Sequence, residues 1–383
     1  MLTGWSASSV RFAWRNLVAH PPRFAIACVG IGFAAFLMAL QVSLLYGFTM
    51  AASRIVDAVE ADIWIVGRAV PAFEFVSPIA ERIAWLTEGT PGVAHAGTGI
   101  AGWVPFEKPD GDLTTVFLVG VDDRFAGRLP RVRPTVMAAA AVETPIAVDS
   151  TDAAVLRGGE GRAPAEVEVN GLRADIALVT DGLASFLGTP YVIADLRDAR
   201  RLSRYAAERV SFAVVSVAAG EDPEAVASAL AARFPNVSVF TRHALSRRSR
   251  VFWLLKTGAG GALSLAAVLG FLIGLSVVAQ TIYSATSEQV EAYATIKALG
   301  GTDGFVFRIV ALQSLLCGTI GALCGLSLVG PSAELAQNIV TWAVAPRWIY
   351  PAVFLTILLL CLLAAMIAAR PALDAEPARV FRA

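Results

Sequence analysis

The chain is short of charge, of histidine, and of cysteine outside its apolar runs, and each shortage excludes something. Only 16% of its 383 residues are charged and 56% are hydrophobic, whereas ordinary soluble domains carry about 25% charge. That balance, with a mean hydropathy of +0.64, points to an integral membrane protein. Formal net charge is zero, so nothing suggests a nucleic-acid footprint. Cys28, Cys317, Cys324 and Cys361 all lie in apolar runs and read as packing residues, not as disulfides or metal ligands. Three histidines, His20, His95 and His243, each read as a lone surface or core residue. No G-x-x-x-x-G-K-[ST], H-E-x-x-H, C-x-x-C or G-x-S-x-G occurs, which excludes the common phosphate-cradling, zinc-hydrolytic, redox and esterase motifs. The chain therefore reads as non-enzymatic, with no cofactor bound by its own residues.

What is present is apolar length. No charge occurs across Phe24–Ser53, Thr257–Ser287, Ile309–Ala333 or Trp348–Ala369, and about 20 apolar residues suffice to cross a bilayer. The first run is too long for a signal-peptide core and lacks a small-residue cleavage site, so it is a retained span. The spans are poor in ionisable groups, and the middle positions offer only Gln41, Gln280 and Gln313. That argues against a carrier with an intramembrane ion path and favours interhelical hydrogen bonding. Glycines four apart, Gly270 with Gly274 and Gly321 with Gly325, permit close helix contact within one chain or between two.

Basic residues set the orientation. Arg11, Arg15 and Arg23 precede the first span, and Arg370, Arg379 and Arg382 follow the fourth, so both termini are expected in the cytoplasm. Arg247, Arg248, Arg250 and Lys256 run the other way. The rule loses force beside a long translocated domain, and the termini decide.

The fold expected is an α-helical membrane protein with four transmembrane helices plus a large α+β extracytoplasmic domain between helices 1 and 2. Residues 1–23 read as a cytoplasmic interfacial helix, with Val10, Trp14, Leu17 and Val18 on one face and Pro21-Pro22 breaking it, or as a plain basic flank. Spans follow at 24–53, 257–287, 305–333 and 348–369, with a periplasmic loop at 334–347 and a cytoplasmic tail at 370–383. The domain over 54–250 has a strand at Asp62–Gly67, a helix at Pro78–Glu88 and an extended stretch at Val93–Val104. The order then repeats, with a strand at Val210–Val217, a helix at Asp222–Phe234 and a short strand at Val237–Phe240. Two such units suit a split βαβ sandwich. Between them, residues of about 121–208 read as an inserted, mainly β subdomain with strands near Ile146–Val148, Glu166–Val169, Ala174–Val179 and Tyr191–Ala194.

Between the second and third spans lies a polar segment, 288–304, with helical periodicity, an acidic start and a Gly300-Gly301 stop. It reads as a short cytoplasmic helix, either a handle for a partner or a connecting turn.

One early span, a large outside domain and three late spans resemble the FtsX/MacB-like class of ATP-binding-cassette permease. Tyr293-Ala-Thr-Ile-Lys-Ala-Leu-Gly300 resembles that family's loop between the second and third spans, and Arg370-Pro-Ala-Leu-Asp-Ala-Glu-Pro-Ala-Arg-Val-Phe381 resembles its ending. Ala13-Trp14-Arg-Asn-Leu and Gly30-Ile-Gly-Phe-Ala-Ala-Phe-Leu-Met-Ala-Leu-Gln41 are closest to the DevC-like branch. Relatives carry an Arg-Glu pair before the loop; here those positions are Glu291 and Ala292, which moves the acid by about 100° around a helix.

The resemblance implies a homodimeric permease in the bacterial inner membrane, bound to two copies of a separate cytoplasmic ABC ATPase that uses the ATP. It also implies mechanotransmission, in which ATP-driven closure moves the outside domain. A DevC-like member adds a periplasmic adaptor and an outer-membrane channel. The alternative is a non-transporting FtsX-like regulator of a periplasmic partner such as a cell-wall hydrolase. Membrane lipids are the remaining partner. Glu288, Glu291, Tyr293, Lys297, Leu299 and Gly300 are the ATPase-coupling candidates, with Leu299 and Tyr293 as apolar anchors into a groove on the ATPase.

Overall fold

The computed structural model describes residues 14, 15, 19, 21–130, 132, 143–157, 165–337, 340 and 342–373. The interfacial helix expected over 1–23 falls largely outside them, as does the tail beyond Leu373. The chain divides into two compact parts, one of them Phe48–Gly261 with Val340–Trp342 and the other the remainder.

The first helix, α1 (Pro21–Ala51), begins on the two prolines expected to precede it. In a first turn the missing N–H costs nothing, because those groups have no intrahelical acceptor.

The domain follows. Helix α2 (Arg54–Ala58) leads to β1 (Ile63–Val66), β2 (Ile79–Ala80), α3 (Arg82–Glu88), β3 (Val93–Glu107) and β4 (Leu113–Val121). Then come β5 (Pro145–Asp149), α4 (Ser150–Leu156), β6 (Ala165–Val169), β7 (Leu172–Thr180), β8 (Tyr191–Asp195) and α5 (Leu196–Ser203). It closes with β9 (Arg209–Val210), β10 (Phe212–Val217), α6 (Pro223–Arg233), β11 (Ser238–Thr241) and α7 (Arg242–Leu255).

Strand order is β11-β1-β10-β3-β4-β8-β5-β7-β6, with β3 also pairing β6. The strands β11, β1, β10 and β3 are all antiparallel neighbours, so β1-α3-β3 encloses β10 and β10-α6-β11 encloses β1. That is the interlocked pair of split βαβ units. The middle of the chain is no separate insertion, however. Strand β3 pairs β10 through Val93–Gly99 and β4 through Gly99–Glu107, and its last two residues reach β6. One sheet therefore serves both halves, and β3-β4-β8-β5-β7-β6 closes into a ring of pairings. Ile100, Val104, Phe106, Val116, Leu118, Ile146, Val148, Val169, Ile176 and Val192 from that ring share one apolar cluster.

Strand β1 is buried at every position. Ile63 and Ile65 pack with Val226 and Leu230 of α6, while Trp64 and Val66 join Phe73, Phe117, Tyr191 and Phe212 on the opposite face. Burial on both faces explains why Ile-Trp-Ile-Val shows no polar alternation.

The helix expected at Pro78–Glu88 starts only at Arg82, because Ile79 and Ala80 pair with Val210 and Arg209. Two further helices stand on capping aspartates that sequence patterning passed over. Asp149 accepts from Thr151 N to start α4, and Asp195 accepts from Arg197 N to start α5. Thr241 caps α7 in the same way, accepting from Ala244 N.

The remaining helices are α8 (Gly258–Ser287), α9 (Val290–Ala298), α10 (Asp303–Ser327), α11 (Val329–Gln337) and α12 (Ile349–Leu373). Among the described residues four stretches are long and apolar enough to cross a membrane: Pro21–Ala51, Gly258–Ser287, Asp303–Gln337 and Ile349–Arg370. The third span does not run unbroken to 333, and the expected loop at 334–347 begins as helix. The break falls at Leu328, which puts Pro331 in the first turn of α11, where no N–H is needed.

The helices touch through small residues. A side chain on Gly325 would run into the Gly32 backbone carbonyl, and one on Gly321 would lie 2.7 Å from the Cys28 carbonyl oxygen. Gly270 and Gly274 face Gln41 and Met38. Both glycine pairs serve contacts within the chain.

Candidate coupling site

The segment between α8 and α10 is a built corner. Helix α8 ends at Ser287, and Glu288 and Gln289 turn the chain into α9. Helix α9 closes in a Schellman motif, with Gly301 N donating to Ile296 O (2.9 Å) and Gly300 N to Lys297 O (3.0 Å). Gly300 takes φ +94°, a conformation that side chains resist. Thr302 then caps α10 by accepting from Phe305 N. The expected helix over 288–304 is thus only Val290–Ala298, flanked by designed turns.

Tyr293 is fully buried and packs with Val306, Ile309 and Val310 of α10 and Ala365 and Ala369 of α12. Its hydroxyl shares its proton between Gln313 Oε1 (2.8 Å) and Gln289 Oε1 (3.0 Å). Burial pushes that hydroxyl above its ordinary pKa, so it stays a neutral donor. The reading of Tyr293 as an outward anchor is therefore corrected: an aromatic ring on the inner face of a short helix fastens that helix to its own bundle.

Two of the charged candidates have partners within the chain. Glu288 pairs with Arg23 of α1 at 3.2 Å, and Lys297 pairs with Asp303 at the start of α10 at 3.0 Å. Glu291 stays on the exposed side, together with Ala292, Thr295 and Ala298. Leu299 is 85% exposed. The corner therefore offers an outer surface of one acid, small residues and a protruding leucine, on a helix held from within. Sequence reasoning missed Arg23 and Gln289 as members. Gln313 was legible, as a polar group inside a span.

Residues 264–377, which contain this corner, match the family model for the FtsX-like permease C-terminal domain. That part of the chain is similar to FtsX-like permease C-terminal domains. The match supports a permease-subunit role for it. No curated protein matches the chain. Among solved structures, the periplasmic region of MacB from Actinobacillus actinomycetemcomitans is similar at 8% identity, over 50% of this chain and 94% of that one, with a TM-score of 0.36. The extracellular domain of the noncanonic ABC-type transporter YknZ from Gram-positive bacteria is similar at 11% identity, over 47% and 98%, with a TM-score of 0.33. Such scores leave the functional reading to the FtsX-like permease domain and its corner.

The sheet domain buries Glu74, Asp149 and Asp198, and Glu74 sits among aromatic rings. Glu74 accepts from Trp253 Nε1 at 2.8 Å and lies beside the Tyr191 hydroxyl, and burial raises its pKa from 4.5 to about 7. Tyr191 is itself buried and pushed well above its usual value. This cluster lies in the aromatic core and has the geometry of a structural network.

Proposed function

We propose that the chain is the membrane subunit of an ATP-binding-cassette machine of the mechanotransmission type. A separate cytoplasmic ATPase docks on α9, and two copies of each subunit form the working unit. ATP-driven closure of the ATPases pushes α9, and the movement is delivered to the domain between the first two spans. In the DevC-like reading that domain works with a periplasmic adaptor and an outer-membrane channel in export. Both termini, and the corner with them, lie in the cytoplasm.

One observation carries the reading: α9 is fastened on one side and offers Leu299 on the other. An exposed leucine at a helix end gains nothing within the chain, whereas burying it in a partner's groove is favourable by about 1.5–3 kcal/mol. The inner fastening suits force transfer. Tyr293 ties α9 to α10 and α12, and Glu288 ties the same corner to α1. Helices α1 and α8 each lead by chain continuity into the domain.

The test is reconstitution of the full chain with a candidate ATPase encoded beside it. Leu299→Asp leaves the fold intact because the side chain is exposed, and is expected to abolish co-purification and permease-dependent ATPase stimulation. Full stimulation in L299D would sink the docking assignment.

A further inference from the structure

The four bases that run against the topology rule, Arg247, Arg248, Arg250 and Lys256, fall on or just after α7. The structure separates them. Arg250 turns inward, pairing with Asp57 Oδ2 at 2.7 Å and donating from Nε to Ser53 Oγ at 2.7 Å. Arg247, Arg248 and Lys256 remain exposed. Arg248 donates from Nε to the Val70 carbonyl at 2.7 Å and stands 5.3 Å from the Phe240 ring centroid. That neutral setting leaves its charge uncompensated. Among the described residues none of the three forms an ion pair with a carboxylate.

The three bases share a cleft of about 670 Å³ with Pro71, Val251 and Phe252, and no acidic residue lines it. The exposed stripe of α7 changes character along its length. Arg247 and Arg248 come first, then Val251, 43% exposed, and Leu255, 67% exposed. Residues four apart lie on one helical face, so charge and apolar surface form one continuous strip about 12 Å long at 1.5 Å per residue.

Lys256 stands two residues before Gly258, where the span Gly258–Ser287 begins. Two residues reach at most about 7 Å, comparable to the polar layer of one leaflet, about 5–8 Å thick. Chain continuity alone therefore keeps Lys256 in or next to lipid headgroups.

We propose that this cleft is a binding site for an anionic phospholipid, the headgroup phosphate on Arg247, Arg248 and Lys256 and the acyl region on Val251 and Leu255. Cationic side chains together with an apolar strip match an amphipathic anion, and the only such molecule at a membrane surface in bulk is acidic lipid. The site explains why bases survive at this end of a span, where topology would remove them.

The full chain in a non-ionic detergent, titrated with phosphatidylglycerol or phosphatidylcholine and read by native mass spectrometry, tests the proposal. Phosphatidylglycerol is expected to bind in preference to phosphatidylcholine. R247Q/K256Q should weaken phosphatidylglycerol binding by at least about tenfold, whereas R209Q, an equal charge loss on a two-residue strand of the sheet domain, should not. R247K should retain binding. Should R247Q/K256Q melt early in detergent alone, L255Q carries the test, with at least about threefold weaker binding expected. Binding unchanged in the substituted chain, equal binding of phosphatidylcholine, or full competition by glycerol 3-phosphate would each overturn the assignment. ATPase stimulation reports on α9 alone, so failure here and failure of the docking reading are separable.

Discussion

The sheet domain and the helical part bury apolar surface by different means. In the domain, strand pairing satisfies the backbone first, and large side chains then fill the space between layers. Trp64 meets Phe212 and Phe73 at centroid distances of 4.9 and 5.5 Å, and Phe117 meets Tyr191 at 5.8 Å. In the helical part each helix satisfies its own backbone, and the contacts depend on what is missing from the surface. Gly32, Gly321 and Gly325 bring α1 and α10 to backbone contact. Polar groups differ too. The domain sets Asp57 between Arg250, Ser246 and Ser53, whereas the helical part gathers Gln289, Tyr293 and Gln313 into a small neutral hydrogen-bonded group. The lesson is that a lipid-facing bundle gains from close approach and a sheet core from filled volume.

Substitutions that exchange these strategies should break each part separately. The largest effect is expected from Gly325→Leu, which drives a side chain into the Gly32 carbonyl. Overpacking a core costs about 1–3 kcal/mol where side chains can shift; here backbone must move, so the helical part should lose its cooperative unfolding in detergent. Protease resistance of the sheet domain should survive. Its loss as well would show that the two parts fold as one.

Next in size is Glu74→Gln. The folded chain keeps the Glu74 proton up to about pH 7, whereas the unfolded chain releases it near 4.5. Folded therefore binds more protons across that window, and stability falls as pH rises through it, by about 3 kcal/mol in all. Glutamine still accepts from Trp253 and carries no charge, so E74Q should flatten the decline in urea unfolding measured between pH 4.5 and 7. Asp152, raised by burial and by Asp149 to about 6, leaves a smaller slope of the same sign. An unchanged slope would remove Glu74 from the account.

The smallest effect is expected from Tyr293→Phe. The ring stays packed and only the hydrogen bond its hydroxyl shares between Gln313 and Gln289 goes, at about 1 kcal/mol. The same chain should bind the ATPase with unchanged affinity but transmit less of its stimulation per bound complex. Weaker binding without loss of transmission would return Tyr293 to the outer surface.

Where these strategies show in a sequence follows from their physics. Spans are legible because lipid excludes charge over about 20 residues, and helices α1, α8 and α12 stand on such runs. The split βαβ order is legible from β1, α3, α6 and β10 because each has its own local pattern. The ring is not. Strand β3 continues three residues past Val104, and its last pairing partner, β6, lies about 60 residues away. The capped helices α4 and α5 are one to two turns each and too short for a periodic signal. In the corner, glycine and the acidic start announce a short helix, but nothing in Tyr293 itself tells inside from outside.

Composition and periodicity thus determine that four apolar helices form, that a mixed domain separates the first two, and that a capped polar helix joins the next two. These depend on solvent exclusion and on hydrogen bonds between near neighbours in the chain, which any short window of residues already specifies. The inward Tyr293, the ion pair of Glu288 with Arg23, the exposed Leu299 and the single sheet through β3 were decided only by tertiary structure. Each is a choice of partner across long stretches of chain, and packing makes that choice after the local elements exist.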